Sequence, residues 1–112
     1  MSELASAEWP FSGLTNAEIE RLDMLSEEAA EIIVAVSKIK RHGPYSYNPD
    51  KPDDGDNAAQ LNSEISDLFG VLLGMAEAGD PFHVGSIAQH RAAWTKKLRY
   101  SHHQENARAH VS

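Results

Sequence analysis

Residues 15–42 read TNAEIERLDMLSEEAAEIIVAVSKIKRH, and this stretch decides the fold. It holds no proline or glycine, and Ile19, Leu22, Leu25, Ala29, Ile32, Ile33 and Val36 recur at helical spacing. Thr15 with Glu18 three residues later forms a capping box, in which each side chain satisfies a free backbone N–H. Lys38, Lys40, Arg41 and His42 put positive charge where the helix dipole is negative. Gly43-Pro44 stops the helix. The pattern predicts a first helix over 16–42.

Working outward, residues 43–56 gather three prolines, two tyrosines and four acidic residues, which reads as a loop. The acidic run from Asp50 to Asp56 fails the EF-hand pattern. With Gly55 at the sixth position, Pro52 falls at the third and Leu61 at the twelfth. A solvated acidic turn is the better reading there. Asn57 with Gln60 is suited to cap a second helix over 58–78, with Leu61, Ile65, Leu68, Val71, Leu72 and Met75 on one face. Gly79-Asp80-Pro81 ends it. A third helix is expected from Pro81, a residue suited to a first turn, to about His103, with Val84, Ile87, Ala88, Trp94 and Leu98 as its apolar positions. No segment alternates with period two over strand length. The chain therefore reads as all-α, with an irregular arm over 1–14, one helical domain over 15–104 and a polar tail over 105–112.

The chain has 112 residues, 10 basic and 17 acidic, and a formal charge of −7. One domain is the default at this length, and a core this small gains from oligomerisation. An acidic surface argues against contact with a nucleic acid polymer or an anionic membrane. It leaves room for a small polyphosphate, which a metal can bring to carboxylates. The absence of cysteine removes disulfides, thiolate metal sites and a cysteine nucleophile, and fits a reducing cytoplasm. Met1 to Trp9 shows no basic start followed by an apolar stretch, and the run Val71 to Met75 falls far short of the roughly 20 residues of a membrane span. A cytoplasmic protein is the expectation.

A helix turns about 100° per residue. With Glu27 at zero, Glu31 lies at about 40° and Glu28 at about 100°, one arc beside the apolar face. A solvated acidic face would explain that helix alone. The second helix changes the reading. With Glu64 at zero, Leu61, Leu68, Val71 and Met75 all fall within about 60° of it, and Asp67 borders the stripe. A carboxylate within an apolar stripe needs a compensating cation, protonation or a metal ion. The apolar faces of the first two helices show no Lys or Arg to pair with it. Two helices that each offer carboxylates at i and i+3 make a nest of oxygen ligands, the set that hard divalent ions prefer.

Glu27-Glu28-Ala29-Ala30-Glu31, followed one loop later by Glu64-Ile65-Ser66-Asp67, resembles the Glu-Glu-x-x-Glu … Glu-x-x-Asp signature of the MazG-like all-α nucleoside triphosphate pyrophosphohydrolases. The resemblance runs from about Leu14 to Gln104. It implies a helical bundle of the all-α NTP pyrophosphatase type, completed by assembly into a homodimer or homotetramer. It also implies cleavage of a (deoxy)nucleoside triphosphate between its α- and β-phosphates, with two or three Mg²⁺ or Mn²⁺ per active site. Glu28, Glu31, Glu64 and Asp67 would be metal ligands, and Glu27 a further ligand or the residue that orients the attacking water. The segment 32–63 is longer than is usual in the family. Its loop, His42 to Pro49, resembles one in short phage-encoded members, so Asn48 joins the expected substrate contacts. The resemblance makes a purine nucleotide, (d)GTP first, the leading substrate; a dUTPase-like or housecleaning specificity is the alternative.

The chemistry suits the composition, because metal-activated water needs no protein nucleophile. Phosphoryl transfer is mainly positioning and charge stabilisation, so cations should line the site. Lys38 lies seven residues past Glu31, on nearly the same face. The resemblance implies phosphate contacts from the helix after the acidic pair, where Lys97 and Tyr100, one turn apart, are the expected ones; the alternative is that they are surface groups offsetting an acidic chain. Gly70 and Gly74 suggest close helix packing. Trp9 and Phe11 suit a plug over one end of the core. The six histidines show no ligand spacing. The rival from another class is a non-catalytic helical oligomerisation module whose carboxylates form inter-subunit salt bridges; a regulatory metal sensor would need a partner surface the sequence does not show.

Overall fold

The computed structural model describes residues 12–82 and 84–104; the expectations for Trp9, Phe11, His83 and the 105–112 tail fall outside them. Three helices carry the described chain: α1 (Asn16–His42), α2 (Asn57–Glu77) and α3 (Ile87–Leu98), with a short 3-10 turn at Pro52–Asp54. Among the described residues there is no strand, only an isolated bridge between Tyr47 and Asp56. The chain is all-α.

Helix α1 starts on the expected capping box, with the Glu18 N–H donating to Thr15 Oγ1 at 3.1 Å and the Thr15 N–H to Glu18 Oε1 at 3.0 Å. It ends at Gly43, whose φ of 86° and ψ of 164° fall in a region that essentially only glycine occupies. At the start of α2 the cap is Asp56 and not Asn57: the Ala59 N–H donates to Asp56 Oδ1 at 2.8 Å. Asn57 is instead buried one residue later. Its side-chain amide donates to the Gly43 carbonyl at 3.0 Å, while the Asn57 and Ala58 N–H groups donate to Ser46 and Pro44. The loop after α1 is thus stapled to the first turn of α2, which satisfies N–H groups that a helix start leaves free. Helix α2 closes in a Schellman arrangement, with Asp80 N–H to Met75 and Gly79 N–H to Ala76.

The third helix is shorter than the sequence suggests, and Pro81 does not open it. Ser86 and Gln89 form a capping box, with Gly85 before them at a φ of 84°, and this local signal sets the start. Its C-terminal end comes at Leu98, whose carbonyl accepts from Ser101.

Helices α1 and α2 form an antiparallel hairpin, as two contacts establish. Asn57 reaches Gly43 at one end, and Arg21 reaches Asp80 at the other. Among the less exposed residues of both helices one series alternates by four and three: Arg21, Leu25, Glu28, Ile32, Ala35 and Ile39 on α1, and Asn57, Leu61, Glu64, Leu68, Val71 and Met75 on α2. That is the spacing of a knobs-into-holes seam. Met75, only 1% exposed, anchors one end. Glu28 and Glu64 occupy seam positions. Outside the seam large apolar side chains stand in the open: Ile33 is 66% exposed, and Phe69, Leu73, Ile87 and Trp94 are exposed too. No helix among the described residues is long and apolar enough to cross a membrane.

Candidate metal centre

Because α1 and α2 are antiparallel and each places a glutamate on the shared seam, Glu28 and Glu64 face one another. Asp67 lies one turn beyond Glu64 on α2. One carboxylate oxygen from each of Glu28, Glu64 and Asp67 falls within 4.8 Å of the others. Glu28 Oε2 and Glu64 Oε2 are shielded from solvent and accept no hydrogen bond from any described residue. Such orphaned oxygens are costly to bury.

Electrostatics carries the mark of this crowding. Glu64 is pushed up to about 7. The main cause is the Glu31 carboxylate alongside, to which Glu64 can donate only when it holds a proton; burial and the charges of Glu31, Asp67 and Glu28 push the same way. Glu28 is raised above the ordinary carboxylate range, chiefly by burial and then by Glu31, Asp67 and Glu27. Each group resists ionisation because its neighbours are negative and, among the described residues, no Lys or Arg lies within ion-pair distance of it.

The sequence reading placed no cation on the inner faces, and here the structure corrects it. Arg21 sits on the seam. Its charge is already paired, however: Nε donates to Asp80 Oδ2 at 2.6 Å and the terminal Nη2 to Oδ1 at 2.7 Å. Asp80, 5% exposed, is held below the ordinary range by that partner. These residues lie 59 positions apart, beyond the reach of any periodicity argument.

Of the expected site residues, the structure brings together Glu28, Glu64 and Asp67, with Glu31 against Glu64. Glu27 is exposed at the margin and acts on Glu28 through its charge. Lys38 and Asn48 share a hollow of about 400 Å³ with Glu64. Lys97 and Tyr100, both exposed at the end of α3, line none of the hollows along the hairpin described below. Lys51, Gln60 and Ser63 also line the Glu64 hollow and were missed. Gln60 was legible, since it lies one turn before Glu64 on the same face. Lys51 sits in a loop without periodicity and gave no such signal.

The donor set fits a hard divalent ion: all-oxygen ligands, clustered and negatively charged, with no ion pair to a Lys or Arg among the described residues. Comparison of the chain with protein-family models, curated proteins and solved structures finds no match.

Proposed function

We propose that the protein is a metal-dependent hydrolase that converts a (deoxy)nucleoside triphosphate to the monophosphate and pyrophosphate. The observation that carries this reading is the pair of shielded, partnerless oxygens on Glu28 and Glu64, facing one another beside Asp67. Two facing seam carboxylates with no cation are unfavourable in isolation, and a divalent ion is the ligand that removes the penalty. The likeness of the two acidic half-motifs to the MazG-like signature supports the same conclusion and supplies the reaction.

Glu28, Glu64 and Asp67 would hold the ion or ions, Mg²⁺ or Mn²⁺, with Glu31 and Glu27 completing the set. A divalent ion bound there supplies an activated water and neutralises phosphate charge. In the proposed reaction the water oxygen would bond to the α-phosphorus as the bond from that phosphorus to the α–β bridging oxygen breaks, and pyrophosphate would depart with the bridging oxygen. The proton released by the water passes to a cluster carboxylate. Lys38 and Asn48 would contact the substrate from the loop side. Lys97 and Tyr100 would do so from α3 in an assembled bundle.

That assembly belongs to the proposal. The exposed apolar positions Ile33, Phe69, Leu73 and Trp94 support a homodimer or homotetramer that completes the bundle. The same exposure also supports the rival reading, a purely structural oligomerisation module. The two readings part at the carboxylates, which a structural module would pair with cations. The test is incubation with each of the eight common NTPs and dNTPs plus Mg²⁺ or Mn²⁺, followed by separation of products. Monophosphate with pyrophosphate is expected, with dGTP first among the candidates. Diphosphate with orthophosphate, or no turnover of any nucleotide, overturns the reading.

A further inference from the structure

The groove between α1 and α2 has chemically unlike ends on either side of the carboxylates. Toward the loop, two adjoining hollows of about 400 and 370 Å³ share Lys38, Asn48 and Gln60. The nearer adds Lys51 and Asp54, and the farther adds Arg41 and His42. Lys38, Lys51 and Arg41 thus line this end; of the loop's four aspartates Asp54 lines the nearer hollow, together with Glu64 of the cluster. Toward the other end, a hollow of about 500 Å³ is lined by Gly70, Gly74, Val71 and Met24 next to Glu28 and Asp67. A Cβ built on Gly70 or Gly74 meets nothing within 4 Å, so the space above them is open. The cation lining this hollow is Arg21, whose hydrogen bonds go to Asp80.

A nucleoside triphosphate is polarised in the same way, with its charge at one end and a flat, weakly polar ring at the other. We infer, resting on the hydrolase reading above, that the substrate lies along this groove in one sense: its β- and γ-phosphates in the Lys38–Lys51 hollow, and its nucleoside over Gly70 and Gly74. Phosphate oxygens need cations with free donors, and these are present at the loop end. The reverse sense would set the departing pyrophosphate against an apolar wall whose one arginine already has the Asp80 carboxylate as its counter-ion. It would also put the ring among ammonium groups. Lys51 is then a pyrophosphate-binding residue. Its backbone is fixed by the loop, with its N–H donating to Asn48 at 3.0 Å and its carbonyl accepting from Asp54 at 3.1 Å.

The test is calorimetry on the full chain with Mn²⁺, using two probes, inorganic pyrophosphate and the four deoxynucleoside monophosphates. Lys51→Ala should weaken pyrophosphate about tenfold or more, the effect of one charge-assisted contact, and leave the tightest-binding monophosphate unchanged. Lys51→Arg should restore pyrophosphate binding. Gly70→Leu should do the opposite, abolishing monophosphate binding and sparing pyrophosphate. Gly74→Leu serves if Gly70→Leu does not fold, and circular dichroism and size-exclusion chromatography check helicity and assembly. The proposal is overturned if the pattern is reversed, if both probes weaken together in each variant, or if pyrophosphate does not bind. It is overturned equally if the leucine variant changes the assembly state with monophosphate binding intact, since a second copy would then occupy the glycine face. Failure of the nucleotide panel with this pattern intact would sink the hydrolase reading alone; the reverse result would sink the orientation alone.

Discussion

Arg21 and Glu28 lie about two turns apart on the same seam, yet their charges are treated differently. Around Arg21 the ionic problem is solved within the chain, because Asp80 from the end of α2 accepts two short hydrogen bonds and is nearly covered. Around Glu28 it is left open, because the facing residue is Glu64 and the next is Asp67, all of one sign. The contrast teaches where to look for a ligand. A seam that pairs its charges at one point and not at another makes the second point the place to test for an ion from outside the chain, as proposed above.

The largest expected effect breaks the open cluster. Glu28→Gln, Glu64→Gln and Asp67→Asn should each reduce Mn²⁺ affinity by more than the roughly 10–100-fold that loss of an outer-sphere partner costs. Each should abolish nucleotide turnover while circular dichroism shows helicity intact. A variant that keeps wild-type turnover removes that residue from the ligand set.

A second expectation concerns opposite signs. In metal-free protein, Glu64→Gln should raise the melting temperature above neutral pH, because it deletes a charge that its neighbours repel. Arg21→Met should lower it, because it strands the covered Asp80. Shifts of the same sign in both variants would dissolve the contrast between the two sites.

The pH dependence follows from the same groups. Glu64 holds its proton more tightly folded than unfolded, between the ordinary glutamate value of 4.5 and about 7. The folded state therefore binds more protons across that window, and stability falls as pH rises through it. Asp80 works in the other direction: its value is lowered by Arg21, so its contribution is present above the unfolded carboxylate value and is lost as pH falls. Thermal melts of metal-free protein across this range should show the decline toward neutral pH, and Glu64→Gln or added Mn²⁺ should flatten it. An unchanged slope in Glu64→Gln would locate the titrating group elsewhere.

The smallest effect concerns the loop. Asn57→Ala removes the amide that holds the Gly43 carbonyl and should cost about 1 kcal/mol in urea unfolding. A null result would mean that the Asn57 and Ala58 backbone bonds suffice to hold the staple.

What was legible in the sequence was local or periodic. The Thr15–Glu18 box and the glycine stop of α1 were readable because capping is decided within a few residues. Glu64 could be placed within an apolar stripe because its neighbours repeat at helical spacing. The Arg21–Asp80 pair was not readable, since it depends on how α1 and α2 meet 59 residues apart. The extent of α3 was overestimated because Pro81 offered one start signal and the Ser86–Gln89 box a stronger one. Asn57 looked like a cap, but Asp56 beside it took the role and released Asn57 to tie down the loop. Lys51 needed that loop to be folded before its place near Glu64 could be seen.

The most direct measurement of the central claim is a crystal structure of the protein soaked with manganese, read by anomalous scattering. The expected result is at least one peak between α1 and α2, with oxygens of Glu28, Glu64 and Asp67 at about 2.1 Å, the distance of a hard six-coordinate ion. Carboxylates that diverge, or that hold a lysine or arginine side chain in place of the ion, would contradict it.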